Sequence, residues 1–154
     1  MFDKIRNATV DFTMDDLPCE SFRDVYAYWL ANKPEDGLPP VDAISPLKLP
    51  RQHLPYIGVM TVERDPMRFH IRVSGTGVTD ATGVEFTGKY VDEIPGTEAA
   101  LERFAWCADN GVAYFVEGPI TWSPNDFMDY RVIGLPFAGP SGTVDRVMLV
   151  FNFS

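Results

Sequence analysis

Ile57-Gly-Val-Met-Thr-Val-Glu-Arg64, then Met67-Arg-Phe-His-Ile-Arg-Val73, then Ser74-Gly-Thr-Gly77 and Glu85-Phe-Thr-Gly-Lys89 form the stretch that decides the fold. In its second segment Met67, Phe69, Ile71 and Val73 share one face and Arg68, His70 and Arg72 the other, the two-residue period of a half-buried antiparallel strand. The pair predicts a hairpin feeding a glycine-punctuated helical segment, with short helical pieces over 76–81 and 87–94. Beyond it, Thr97 is placed to cap a helix over 98–110, in which Leu101, Phe104, Ala105 and Ala108 share a face and Asn110-Gly111 supplies a left-handed stop. Three strands follow over 112–122, 127–137 and 144–153, joined by Ser123-Pro-Asn-Asp126 and Gly139-Pro-Ser-Gly142. The last, with Val147-Met-Leu-Val-Phe151, is apolar enough to be covered on both faces.

Upstream of the hairpin, residues 1–16 carry no strong period and are read as an arm. Over 17–32, Phe22, Val25, Tyr26, Trp29 and Leu30 recur at helical spacing, with Asp15 or Asp16 as cap and Pro18 in the first turn. That apolar stripe must cover either its own sheet or the same stripe of a second subunit. Residues 33–55 hold six prolines, which forbid a long helix or central strand. Val41, Ile44, Leu47, Leu49 and Leu54 make them too apolar for a solvated tether, so they are expected to form an ordered strap.

With 154 residues the chain is the size of one domain, read here as a single unit with a core over 56–154. No stretch approaches the roughly 20 apolar residues that cross a bilayer, and Met1-Phe-Asp-Lys-Ile-Arg-Asn7 has no secretory pattern, so the expected compartment is the cytoplasm with no membrane partner. A net charge of −9 opposes phosphate backbones, and no nucleic-acid partner is expected; Arg64, Arg68, His70 and Arg72 are read as a solvated strand face. Cys19 and Cys107 lack the spacing of a redox pair or zinc site, and His53 and His70 have no second ligand nearby in sequence, so no metal is expected.

Catalytic motifs fail in turn. Gly75-Thr-Gly77 follows a strand, but Asp80 stands where a third glycine would meet a pyrophosphate. Ser74 lacks the first glycine of a nucleophile elbow. Asp126 and Asp129 are better read as a solvated turn than as an acid-base pair. No catalytic residue is assigned.

Tyr28-Trp29, Pro40-Val-Asp-Ala-Ile-Ser-Pro46, Leu54-Pro55, Arg72-Val-Ser-Gly-Thr76, Thr87-Gly88 and Leu135-Pro136-Phe137, in that order over about residues 20–153, resemble the PAS domain, in particular a bacterial PAS-like family that opens with a Tyr-Trp helix. The resemblance implies an α+β fold: a five-stranded antiparallel sheet of order 2-1-5-4-3 with helices on one face, plus the N-terminal amphipathic helix. It also implies a sensory or regulatory domain without catalysis. Such folds often hold a ligand between sheet and helices, where Phe69, Ile71, Val73, Leu101, Phe104, Ala105, Ala108, Tyr114, Val116, Met128, Tyr130 and Val132 would lie, with Tyr114 and Tyr130 orienting the guest. A filled core is the alternative. Haem is not expected, since the 98–110 helix has no histidine; flavin adduct chemistry is not expected either, since the Asn-Cys-Arg-Phe-Leu-Gln signature is missing and Cys107 lies off the predicted stripe. Because the sequence stops after the last strand, output would pass to a separate effector protein, and Phe22, Val25, Tyr26 and Trp29 are expected to pair two copies in a homodimer. The competing classes are a surface-only scaffold module and an enzyme on a cone-shaped α+β fold, which would need an inward Asp/His or Asp/Tyr pair.

Overall fold

The computed structural model describes residues 8–125 and 127–154. Five strands, β1 (Ile57–Glu63), β2 (Arg68–Ser74), β3 (Tyr114–Pro119), β4 (Asp129–Ala138) and β5 (Val144–Phe153), form one antiparallel sheet of order β2-β1-β5-β4-β3. Three α-helices accompany it: α1 (Glu20–Asn32), α2 (Thr76–Thr82) and α3 (Glu98–Asn110). The central position of β5 explains its composition. Val147 and Leu149 enter the core under α3, whereas Met148 and Val150 enter a second core on the opposite face. Each residue thus follows the alternation of a strand, and both sets are apolar because both faces are covered.

That second core lies between the sheet and the apolar stripe of α1, the stripe expected to pair two copies. Phe22 and Val25 are fully buried and Trp29 nearly so, packed with Ile57, Ile133, Leu135 and Phe137 of the chain's own sheet. Trp29 Nε1 donates to the Pro136 carbonyl at 2.8 Å, which satisfies the indole inside the core. The candidate dimer residues Phe22, Val25 and Trp29 are therefore interior, and Tyr26 is stacked on Trp29 at 5.8 Å. Of the two partners open to this stripe, the sheet has taken it. Helices consequently cover both faces, α2 and α3 one and α1 the other.

The strap completes the same layer. Ala43 and Leu49 are buried against it, and Tyr28 donates to the Ala43 carbonyl at 2.6 Å. Short 3-10 turns occupy Val41–Ala43 and Arg51–Tyr56, the second running past the strap boundary at residue 55. Leu47 instead stands 95% exposed. The acidic pair caps something other than α1: Asp16 accepts from the Thr13 amide at 2.7 Å in a 3-10 turn over Met14–Asp16, and α1 begins after Cys19, which leaves Pro18 outside it. The arm is more than an appendage from Ala8 onward, since Ala8 is buried and Thr9 pairs with Phe115 on the outer side of β3. The free side of β2 is covered likewise, with Ile71 donating to Lys89 O and Gly88 donating to Ile71 O.

Two local departures shift the predicted faces. A bulge between Val59 and Met60 breaks the β1–β2 register, so Val59 faces Val73 while Met60 faces Ile71. Beyond it the alternation no longer protects the last apolar residue, and Val73 is 52% exposed. In α3 the buried set is Ala100, Arg103, Phe104, Cys107 and Ala108, with Leu101 and Ala105 only half-buried. The face is turned by about one residue, and Arg103, a charged side chain, lies on it. Cys107 is thus interior, and burial pushes its thiol pKa up. Thr97 precedes α3 as expected, but its hydroxyl turns back to the Ile94 and Val91 carbonyls, at 2.8 and 3.0 Å, and caps no helical amide.

Candidate ligand cavity

Between the sheet and α2, α3 lies a cavity of about 80 Å³. Its floor comes from the inner faces of β1, β2, β4 and β5, through Met60, Ile71, Tyr130, Val132, Leu149 and Phe151. Its roof comes from Val78 of α2, Val91, Ile94 and Thr97 of the connection, and Ala100, Arg103 and Phe104 of α3. Phe86 and Trp122 close the sides. Half-exposed Val73, next to Ser74, marks the rim toward water. On the other side of Arg103 is a second hollow of about 170 Å³, between α3 and β3, which shares Ala100, Arg103, Trp122 and Tyr130 with the first and adds Val116, Glu117 and Thr121.

The glycines of Gly75-Thr-Gly77 have a packing role. A Cβ on Gly75 would sit 2.2 Å from the Pro55 carbonyl oxygen, and one on Gly77 would sit 2.6 Å from the Tyr56 ring. They let α2 close on the turn before β1 and so set the width of the cavity at that end. The other end depends on Gly96, at φ +83, where a Cβ would fall 1.8 Å from the Thr121 carbonyl oxygen. Thr121 Oγ1 donates to Gly96 O at 2.7 Å, tying the start of α3 to the segment that carries Trp122.

The electrostatics of the site centre on Arg103. It is 6% exposed, and its Nη2 donates to Tyr130 Oη at 3.0 Å. No other charged residue lines the first cavity among the described residues. Tyr114, buried one strand away, makes no hydrogen bond through its hydroxyl among the described residues. Burial pushes its pKa well up, with Arg103 pulling the other way.

Of the twelve residues placed around a pocket by alternation, Ile71, Val73, Phe104, Tyr130 and Val132 line the cavity and Val116 lines the neighbouring hollow. Phe69 packs behind it against Phe104 at 5.6 Å, and Ala108 and Tyr114 are core residues outside the lining. Tyr114 therefore does not orient a guest in it. Leu101, Ala105 and Met128 lie at the core margin, also outside the lining. Phe151 was legible, since Val147, Leu149 and Phe151 alternate onto one face. Arg103 escaped because a charged residue is not sought on an apolar stripe. Phe86 and Trp122 escaped because they project from irregular segments, which have no period to read.

Elsewhere, Glu20 and Asp24, one turn apart on α1, and buried His53 bring possible ligand atoms within 4.8 Å of one another. His53 Nε2 and Asp24 Oδ2 are 2.8 Å apart, an ion pair or hydrogen bond that fastens the strap to α1. On the outer edge, Arg68 makes paired bonds of 2.8 Å to Asp92 and lies over the Tyr90 ring at 3.8 Å, so the basic strand face is partly neutralised. Asp126 lies outside the described residues, and Asp129 begins β4 exposed. No helix among the described residues is long and apolar enough to cross a membrane.

The family model of the PAS domain matches residues 18–151. No curated protein matches the chain. Among solved structures, a fungal LOV domain photoreceptor is similar at 15% identity and a TM-score of 0.48, over 83% of this chain and 88% of that one. An RNA-binding light-oxygen-voltage receptor is similar at 12% identity and a TM-score of 0.46, over 77% of this chain and 36% of that one, so the chain spans about a third of that receptor.

Proposed function

This chain belongs to the PAS domain family, and from that premise we propose that it is a sensory or regulatory module that binds a small molecule in the cavity under α2 and α3, catalyses no reaction, and passes its state to another protein by contact. The observation that carries this is the cavity itself, an apolar chamber with a rim at Val73 and, among the described residues, a single charged side chain in its lining. Binding sites for small molecules have this make-up, mostly apolar walls with a few polar groups that fix orientation. Chemistry would call for an acid-base pair or a nucleophile with its base. Among the described residues, the titratable side chains in the cavity lining are Arg103 and Tyr130, joined to each other.

Sheet and helix faces meet at the guest, which is how occupancy would be transmitted. Ile71 and Val73 touch the cavity from one side of a strand whose Arg68 holds Asp92 and whose Ile71 backbone holds Gly88 and Lys89. A guest that moves β2 moves this outer segment with it.

Thermal unfolding of the purified protein against a metabolite and cofactor panel tests the proposal, with Ala100→Leu as the control that fills the cavity from α3. A true ligand at 100 times its dissociation constant should stabilise the native protein by about 2.7 kcal/mol, and Ala100→Leu should abolish that gain. If no compound shifts the transition, native mass spectrometry finds no retained molecule, and Ala100→Leu is destabilised as an overpacked core would be, the core is effectively filled. The protein would then be a module acting through its surfaces alone.

A further inference from the structure

We infer that Glu20, Asp24 and His53 form a site for a divalent cation of the zinc class, which clasps the strap to α1 on the side of the sheet opposite the cavity. Two separate segments assemble the trio. Glu20 and Asp24 stand one turn apart at the start of α1, and His53 comes from the 3-10 turn over Arg51–Tyr56. One donor atom from each lies within 4.8 Å of the other two. Donors around a tetrahedral ion, with bonds of about 2.0–2.2 Å, stand about 3.3 Å apart. The 2.8 Å between His53 Nε2 and Asp24 Oδ2 reaches that spacing with a shift of about half an ångström. Glu20 is exposed, so its side chain has room to swing in. Because 29 residues separate Asp24 from His53, no ligand spacing marks the site in the sequence.

Each member alone has an ordinary explanation. An acidic residue in the first turn of a helix meets the positive end of the dipole, and a histidine bonded to an aspartate fastens two segments. The three together ask for a cation. Carboxylates four residues apart on a helix repel one another, and no ion pair reaches Glu20 among the described residues. Arg23, the nearest arginine in sequence, donates instead to the Leu17 carbonyl at 2.9 Å. His53 is 8% exposed, and its ring nitrogen is aimed out of that burial at the acidic pair. Packing thus fixes the imidazole before an ion arrives, which is the support a metal ligand needs.

The donor set selects the ion. Magnesium and calcium take oxygen ligands, whereas an imidazole nitrogen beside two carboxylates suits zinc and its neighbours in the first transition row. Three protein ligands leave a fourth position for water on the exposed Glu20 side. Phe22 and Val25, which flank Asp24 along α1, are buried in the second core, so an ion held here steadies that layer. None of the three residues lines the cavity, and the ion can be tested without any guest.

Calorimetric titration of the tag-free full chain, first stripped with a chelator, against Zn²⁺, Co²⁺, Mg²⁺ and Ca²⁺ tests this, with thermal unfolding in parallel. Zn²⁺ should bind saturably as a single ion per chain and raise the unfolding temperature. Co²⁺ should develop the visible absorption of a low-coordinate ion, and Mg²⁺ and Ca²⁺ at the same concentration should do neither. Glu20→Gln and His53→Gln should each weaken Zn²⁺ binding by at least about ten-fold. Cys19→Ser, which removes the thiol next to Glu20, and His70→Gln should leave it unchanged. If His53→Gln fails to fold, Glu20→Gln, at an exposed position, decides. Absence of saturable Zn²⁺ binding overturns the assignment, as does binding that survives Glu20→Gln or is lost in Cys19→Ser. Equal binding of Mg²⁺ and Zn²⁺ overturns it as well, since that is the behaviour of an acidic surface without a nitrogen ligand.

Discussion

Gly96 and Gly88 separate two costs that single residues can impose on this chain. Both have positive φ, +83 and +91, but a side chain on Gly88 would meet nothing within 4 Å, whereas one on Gly96 would strike the Thr121 backbone. Gly88→Ala should therefore cost only the backbone strain, about 1–2 kcal/mol, and Gly96→Ala that strain plus a clash that backbone must relieve, a total above about 3 kcal/mol. Urea unfolding of the two variants checks the order; equal losses would mean that Thr121 moves away freely. Asp92 makes a second test at this scale. Its hydrogen bonds from Arg68 hold its pKa below the usual carboxylate value. A carboxylate whose pKa falls on folding lends stability above its unfolded pKa of about 3.9 and loses it as the pH drops through the folded value. The Asp92 carboxyl resonance should accordingly titrate below that of a free aspartate, and Arg68→Ala should return it to the ordinary range.

At the scale of elements, α1 is where helical periodicity identified the stripe correctly but could not name its partner. An apolar stripe looks the same whether it faces a sheet or a second copy, and only the outward residues of β4 and β5, Ile133, Leu135, Met148 and Val150, tell the difference. Val25→Asp should thus unfold the domain, with a loss of several kcal/mol from a charge buried without a partner. Trp29→Phe should lose about 1 kcal/mol with the bond to Pro136. Chemical denaturation with light scattering checks both; a folded Val25→Asp protein of halved mass would restore the dimer helix. The strands and α3 were legible because they rest on regular periods, and the sheet order came with the resemblance to the PAS domain. The bulge at Val59/Met60 was not, since one extra residue in a strand leaves no mark on composition, and it is this bulge that left Val73 at the rim of the cavity.

For the molecule as a whole, the sequence announced a sheet with helices more clearly than it announced the hollow between them. Cavities are made by what several elements fail to fill, and Ala100, Arg103, Trp122 and Phe86 come from three separate segments. The surroundings of the sheet carry a further consequence. Thr9 lies along β3 at Phe115, the Gly88–Tyr90 segment lies along β2, and exposed Glu117 and Pro119 interrupt the remaining run of β3. A strand margin left bare is a template on which foreign chains stack into fibrils, and a charge or a proline along it spoils the template. Here a misplaced neighbour finds little ladder to extend on either flank, so the domain can hold a hollow interior, with the looseness that brings, without inviting cross-β growth at its margins.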